Sequence, residues 1–213
     1  MELSINIILV IITVLVSIGG FSNQKLVEDL IFYPPAITQR RQWYRFFTCG
    51  LIHADIAHLL FNMLALYMFG KYVEDGFTEI FGPNGKWLYL LLYVSALFVS
   101  LLPTYLQHRN SYHYRSLGAS GAVSAVVFAF ILFYPLEKLG IFIIPPIIPG
   151  FLFGPIYLLI SAYLGKRGGD NINHSAHIWG AIYGLAFTII AGQVSGFPVL
   201  QLFIEKVSSF FGR

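Results

Sequence analysis

The chain has 213 residues, of which 57% are hydrophobic and only 11% are charged, and its mean hydropathy is +0.72. Because soluble domains carry about 25% charged residues, this composition excludes an ordinary soluble domain and predicts an all-α, polytopic membrane protein. The formal net charge of +3 is too small and too dispersed to indicate a nucleic-acid-binding protein.

Six apolar segments are predicted to cross the membrane, since a spanning helix needs roughly 20 predominantly apolar residues. The segments are residues 3–21, 46–70, 87–106, 120–134, 149–165 and 175–193. The first lacks the basic leader and the small-residue cleavage site of a secretory signal, so we expect it to be retained. We therefore expect one membrane domain over residues 1–213, without a second soluble domain.

Two loops and the tail carry further information. The loop 22–45 mixes aromatic and basic residues, which suits the headgroup layer of a bilayer. The run IFIIPPIIP at 141–149 has too many prolines for a helix interior and is expected to be extended or embedded. The tail 197–213 places apolar residues at helical spacing on one face. It is too short to span and is expected to lie at the membrane interface.

The charge distribution bears on the orientation of the predicted bundle. With six spans and a cytoplasmic N-terminus, five of the 13 basic residues fall on the inner side and the other eight on the outer side. The positive-inside rule, applied to this distribution alone, favours the opposite orientation.

Polar side chains inside predicted spans are costly in a bilayer and by default mark a function. They form three groups: His53, His58 and Asn62 on the second span, Ser120 and Ser124 on the fourth, and His174 and His177 at the start of the sixth. His58 and Asn62 are four residues apart and share one helix face. They either hydrogen-bond a neighbouring helix or aim two donors at one point.

Ser120 lies in the sequence GASG at 118–121, which has two interpretations. Small residues allow helices to pack closely, or the serine is a nucleophile inside the membrane. The fourth and sixth spans carry matching stripes of small residues and are predicted to pack together. Close packing would bring the His177 imidazole within hydrogen-bond reach of the Ser120 hydroxyl, and a serine nucleophile needs such a base.

Other intramembrane hydrolase chemistries lack their motifs. No H-E-x-x-H sequence of a zinc protease is present, and His53 and His58 point to different helix faces. His174 and His177 are spaced to hold a metal, but no Cys, Asp or Glu in a nearby span completes a site. An aspartyl mechanism needs two embedded aspartates, and Asp55 stands alone near a helix end. We therefore expect no metal and no other cofactor.

Three motifs together resemble the pattern of the rhomboid family of intramembrane serine proteases. They are HLLFN at 58–62, GASG at 118–121 and AHIWGAIYG at 176–184, in the order and on the spans that the family uses. The resemblance covers roughly residues 44–191. It implies a six-helix bundle with a water-accessible cavity on the non-cytoplasmic side and a cytoplasmic N-terminus, against the charge count.

The resemblance also implies an activity and the residues that perform it. Ser120 would be the nucleophile and His177 the general base of a serine endopeptidase without a catalytic carboxylate. His58, Asn62 and Gly118 would form the oxyanion and substrate-binding site, together with the Ser120 backbone N–H. The implied substrates are transmembrane segments of membrane proteins in the lipid bilayer, and the expected location is a prokaryotic cytoplasmic membrane. The sequence specifies neither the substrate nor the oligomeric state.

The chain departs from the family pattern near two functional positions. The family has Trp-Arg before the second span, whereas this chain has Trp43-Tyr44-Arg45, so Arg45 is expected to brace the loop and the aromatic role is open. The position one turn after the nucleophile is aromatic in some members and is Ser124 here, which leaves open what orients His177. Glu74 matches an acidic position that ties helix ends together.

Two alternatives to a protease belong to other functional classes. One is an inactive rhomboid-like protein that binds or chaperones membrane proteins, but inactive relatives lose the serine or the histidine and this chain keeps both. The other is a transporter, which would show repeated halves, and the sequence contains no internal repeat. The protease is therefore the favoured hypothesis.

Overall fold

The structure is a computed structural model that describes residues 4–140 and 145–212, and these form an all-α fold. The helices are α1 Ile5–Ser22, α2 Gln24–Leu30, α3 Pro34–Arg40, α4 Arg45–Thr48, α5 Ile56–Phe81, α6 Gly85–His108, α7 Ser120–Phe133, α8 Gly150–Arg167, α9 His174–Ser195 and α10 Val199–Phe210. Short 3-10 turns at Cys49–Leu51 and Gly82–Asn84 precede α5 and α6. Strands β1 Lys138–Leu139 and β2 Ile148–Pro149 pair antiparallel between α7 and α8.

Three segments of the described chain are long and apolar enough to cross a membrane. They are Ile5–Ser22, the 53-residue segment Ile56–His108 that joins α5 to α6, and His174–Ser195. Helix α7 is equally apolar but has 14 residues. Because about 20 apolar residues are enough to span the hydrocarbon core, these segments indicate an integral membrane protein.

Helix α7 lies at the centre of the bundle, where it packs most closely against α9 and also contacts α5 and α6. Most of its residues are buried, as expected for a helix that is apolar on all sides. Glycines make the approach of α9 possible, since a Cβ atom on Gly180 or Gly184 would collide with the α7 main chain at Gly121 and Ala125. The predicted close packing of these two segments is confirmed.

The second predicted span is wrong at both ends. Helix α5 begins at Ile56 instead of residue 46 and continues to Phe81. Residues 46–55 are apolar but contain most of α4, a 3-10 turn and a loop. Asp55 caps α5 by accepting a hydrogen bond from the His58 backbone N–H at 2.7 Å, and this fixes the helix start.

Arg45 braces the segment between α1 and α5, as expected. Its guanidinium is buried and donates to the carbonyl oxygens of Glu28 at 2.8 Å and Ile31 at 2.7 Å. Of the two aromatic residues before Arg45, Trp43 stacks on the buried Phe46 with centroids 5.9 Å apart, and Tyr44 lies against the Arg45 guanidinium at 5.5 Å. In the proline-rich run, residues 148–149 are the extended strand β2, whereas 141–144 lie outside the described residues.

Glu74 on α5 holds the start of α1, which is the helix-end role expected for it. The buried carboxylate accepts hydrogen bonds from the backbone N–H groups of Ile5 at 2.8 Å and Asn6 at 3.1 Å, and from the Ser4 hydroxyl. A carboxylate at a helix N-terminus is stabilised by the free N–H groups and by the helix dipole. Glu74 therefore ties the first helix to the bundle.

Replacing Glu74 with glutamine is expected to lower the free energy of unfolding by about 2 kcal/mol, because hydrogen bonds to a charged acceptor contribute about 1.5–3 kcal/mol. The matched control is Asp75→Asn, which removes the same charge from an exposed i,i+4 ion pair with Lys71 and should cost at most about 0.5 kcal/mol. Cys49 is the single cysteine and is buried, so its reaction with a maleimide dye during heating reports unfolding. Equal melting temperatures for the two variants would contradict this account of Glu74.

Candidate active site

Ser120 is the first residue of α7 and follows a turn that depends on glycine. Gly118 has a φ of +108°, a conformation that side chains rarely adopt, and its N–H donates to the Cys49 carbonyl at 2.9 Å. The chain then enters α7 at Ala119, with the Ser120 hydroxyl half-buried at the helix end. The turn therefore sets the direction in which the serine enters the bundle.

His177 lies opposite Ser120, in the first turn of α9. The side chain of Asn173 caps this helix by accepting from the Ala176 N–H at 3.0 Å. The close approach of α9 to α7 brings His177 Nε2 to 2.7 Å from Ser120 Oγ. The two side chains thus form the hydroxyl–imidazole pair that close packing of the segments predicted, and an imidazole at this distance can accept a serine proton.

A carboxylate does not reach His177 in the described part of the chain. Asp170, the acid closest to it in sequence, instead accepts from the Ile172 N–H at 3.1 Å and lies 3.0 Å from His174 Nε2. The bond to His174 holds the pKa of the Asp170 carboxyl below its usual range. Within 4–140 and 145–212, His177 Nδ1 has no hydrogen-bond partner, so the pair carries no third polar member.

An aromatic ring from α8 contacts His177 and was not anticipated from the sequence. Tyr157 stacks on the imidazole with ring centroids 6.4 Å apart and an interplanar angle of 22°. Its hydroxyl lies 2.8 Å from Oγ of Ser124, the α7 residue one turn after Ser120, which has no ring of its own. A buried tyrosine hydroxyl needs a hydrogen-bond partner, so a tyrosine in an apolar segment indicates a polar side chain on a neighbouring helix.

His58 lies directly against the turn that precedes Ser120. A Cβ atom on Gly118 would lie 2.7 Å from His58 Cε1 and 2.8 Å from its Nε2. Asn62 is buried one turn further along α5, and its Nδ2 donates to the His58 carbonyl at 3.0 Å. The structure therefore brings His58 and Gly118 together beside Ser120, whereas neither the His58 nor the Asn62 side chain hydrogen-bonds the serine hydroxyl.

His53, the third polar residue predicted on the second span, contacts the backbone of the same turn. Its buried ring places Nδ1 2.9 Å from Ser17 Oγ on α1, and Nε2 accepts from the Ala119 N–H at 3.4 Å. Because the Ser17 hydroxyl donates to the Leu51 carbonyl at 2.8 Å, it accepts from His53, which places the imidazole proton on Nδ1. His53 thus links α1 to the backbone beside Ser120.

A small cavity opens beside Ser120 and Gly118. Polar groups of Ser100, Ser116 and Asn173 contribute to its lining. Asn173 Nδ2 is buried and has no hydrogen-bond partner among the described residues. The cavity therefore offers polar surface next to the serine, at a position otherwise surrounded by apolar helices.

Comparison with known proteins agrees with the motifs. A family model described as Rhomboid domain matches residues 40–194. Rhomboid-like protein 11, chloroplastic, from Arabidopsis thaliana is 33% identical over 171 residues, which cover 73% of this chain and 54% of that protein. The chain thus spans about half the length of this relative.

Two bacterial relatives carry protease names. The putative rhomboid protease YdcA from Bacillus subtilis is 29% identical over 154 residues, covering 71% of this chain and 69% of the relative. Rhomboid protease GlpG from Haemophilus influenzae is 28% identical over 194 residues, covering 88% and 92%. The second alignment therefore extends over nearly the whole of both chains.

Proposed function

The chain belongs to the rhomboid family, and on that premise we propose that it is an intramembrane serine endopeptidase that cleaves transmembrane segments of membrane proteins with a Ser120–His177 dyad. The observation that carries the proposal is the 2.7 Å separation of Ser120 Oγ and His177 Nε2 at the closely packed ends of α7 and α9. The protease-named relatives support the reaction class.

The chemistry follows from this geometry. Ser120 Oγ attacks the scissile carbonyl carbon while His177 Nε2 takes the hydroxyl proton. The imidazolium then gives that proton to the leaving amine as the C–N bond breaks, which leaves an acyl-enzyme. A water molecule then loses a proton to His177 and attacks the ester carbonyl. As the bond between Ser120 Oγ and the carbonyl carbon breaks, the imidazolium returns that proton to Oγ, and the new carboxyl product is released.

The tetrahedral intermediate needs donors at its oxyanion. The backbone N–H of Ser120 belongs to the first turn of α7, where N–H groups have no partner inside the helix and the dipole favours negative charge. His58 packs on Gly118, just before this turn, and Asn62 lies one turn further along α5. Because of these positions, we assign His58, Asn62 and Gly118 to this site. Loss of one oxyanion donor typically lowers the rate by about 10²–10³-fold.

The membrane arrangement is part of the same proposal. We place six spans in one domain, with Ile56–His108 supplying two of them, and put the N-terminus in the cytoplasm of a prokaryotic cell. A substrate helix would enter beside α8 and unwind locally, because the hydrogen bonds of a helix protect its carbonyls. The water that hydrolyses the acyl-enzyme would approach from the side of the small polar cavity next to Ser120.

The test is cleavage in a defined membrane. The purified protein is reconstituted in liposomes with a model transmembrane substrate that carries small and helix-breaking residues, and products are identified by mass spectrometry. We expect cleavage within or beside the transmembrane segment by the wild type and none by Ser120→Ala. Substrate binding without cleavage by the wild type would instead favour an inactive family member that binds or chaperones membrane proteins.

A further inference from the structure

We propose that Tyr157 is the positioning residue of His177, and that through it the placement of α8 controls the placement of the general base. This inference rests on the proposed function and concerns the side chain that completes the dyad. The residue one turn after Ser120 is Ser124, which has no ring that could orient His177. Ser124 instead hydrogen-bonds Tyr157, an aromatic residue of another helix.

Besides Tyr157, the imidazole of His177 has two contacts: the Ser120 hydroxyl and the His174 ring, whose edge meets it at 5.9 Å and 76°. The Nε2 of His177 meets Ser120 at 2.7 Å, while Nδ1 has no hydrogen-bond partner in the described part of the chain. One hydrogen bond does not fix the plane of the ring, since the ring can rotate about that axis. The nearly parallel Tyr157 ring, at 6.4 Å and 22°, supplies a flat surface that selects one orientation.

Tyr157 is itself held on α7. Its hydroxyl lies 2.8 Å from the oxygen of Ser124, a buried residue one turn after Ser120. Its ring packs against Phe128 of α7 at 5.7 Å and against Phe153 of α8 at 6.0 Å. The position of the tyrosine ring is thus set by the helix that carries the nucleophile, although its backbone belongs to α8.

Helix α8 lies at the edge of the described bundle. Few of its residues are buried, and large apolar side chains such as Leu152, Leu159 and Tyr163 are exposed. An outward displacement of α8 would break the Tyr157–Ser124 bond and withdraw the ring from His177. The base would then be fully aligned only after α8 returns, which links closure of the substrate entrance to catalysis.

The experiment measures the contributions of the Tyr157 ring and of the Tyr157 hydroxyl separately. Tyr157→Leu removes both, Tyr157→Phe keeps the ring, and Ser124→Ala removes the partner. Exposed Tyr163→Leu is the matched control on the same helix. Two rates are measured in each variant: labelling by a fluorophosphonate, which is small enough to react without a docked substrate helix, and cleavage of the transmembrane substrate in liposomes.

We expect Tyr157→Leu to lower both the labelling rate and kcat by about 10- to 10²-fold without raising KM, because misplacing a catalytic group by about 1 Å costs up to 10²-fold. Tyr157→Phe and Ser124→Ala should each cost at most about threefold, and together no more than either alone, since they remove one hydrogen bond. Tyr163→Leu should match the wild type. If Tyr157→Leu does not fold, Tyr157→Met is the second variant without a ring.

A residue that only closes the entrance would behave differently. Tyr157→Leu would then cleave the transmembrane substrate faster or with a changed KM, and fluorophosphonate labelling would stay at the wild-type rate. Either outcome would overturn the positioning role while leaving the dyad intact. A folded wild type that is neither labelled nor active would overturn the proposed function, and this inference with it.

Discussion

Replacing either Ser120 or His177 with alanine is expected to lower kcat for a transmembrane substrate by at least about 10⁴-fold, the largest effect that any single substitution should produce. A serine hydroxyl without a base is a poor nucleophile, and a base without the hydroxyl has no proton to accept. Because the two side chains meet at 2.7 Å and act as one unit, the double variant should be no slower than either single variant. The measurement is single-turnover cleavage in liposomes.

Two neighbours provide matched controls for the dyad. Ser124→Ala removes a hydroxyl from the same helix, and His174→Ala removes an imidazole three residues before His177. His174 binds Asp170 and does not hydrogen-bond Ser120, although the edge of its ring lies 5.9 Å from the His177 ring. Both controls should keep measurable cleavage. Substantial activity in folded His177→Ala would show that the geometric pair is not the catalytic pair.

Gly118→Ala is expected to lower kcat by about 10²-fold or more, the second largest effect, for two reasons that act together. The residue has a φ of +108°, where an L side chain is strained. The new methyl group would also lie 2.7 Å from His58 Cε1, so either the turn or the imidazole must move. Both lie next to Ser120, and both belong to the oxyanion site that we assign.

Gly169→Ala is the control that introduces backbone strain without a steric collision. Gly169 has a similar φ of +98°, but no atom lies within 4 Å of the Cβ that alanine would add. Both variants should lose about 1–3 kcal/mol of unfolding free energy through backbone strain. Only Gly118→Ala should lose activity, measured as kcat on the liposome substrate. Wild-type turnover in folded Gly118→Ala would contradict the assigned site.

The meeting of Ser120 and His177 was predictable because its cause is local in the sequence. Small residues recur at helical spacing on both segments, and Gly180 and Gly184 lie against the main chain of α7 in the structure. A glycine stripe can be read without knowing the partner helix. The position of the histidine above that stripe then places the imidazole.

Other features were less accessible, for reasons that differ. Tyr157 is separated from His177 by a turn between helices, and no spacing rule reports which side chains of two helices stack. The pairing of Asp170 with His174 was not predictable from their spacing, because Asp170 lies in the loop before α9 and not on the same helix. The start of α5 at Ile56 was readable from Asp55 as an N-cap, but the apolar run from residue 46 concealed it.

The first experiment to perform is the reaction of the folded protein with a fluorophosphonate, followed by mass-spectrometric mapping of the modified residue. Ser120 Oγ would attack phosphorus and displace fluoride while His177 accepts the hydroxyl proton. We expect an adduct on Ser120 in the wild type and none in folded His177→Ala. A folded wild type that does not react, or an adduct on another serine, would contradict an activated Ser120.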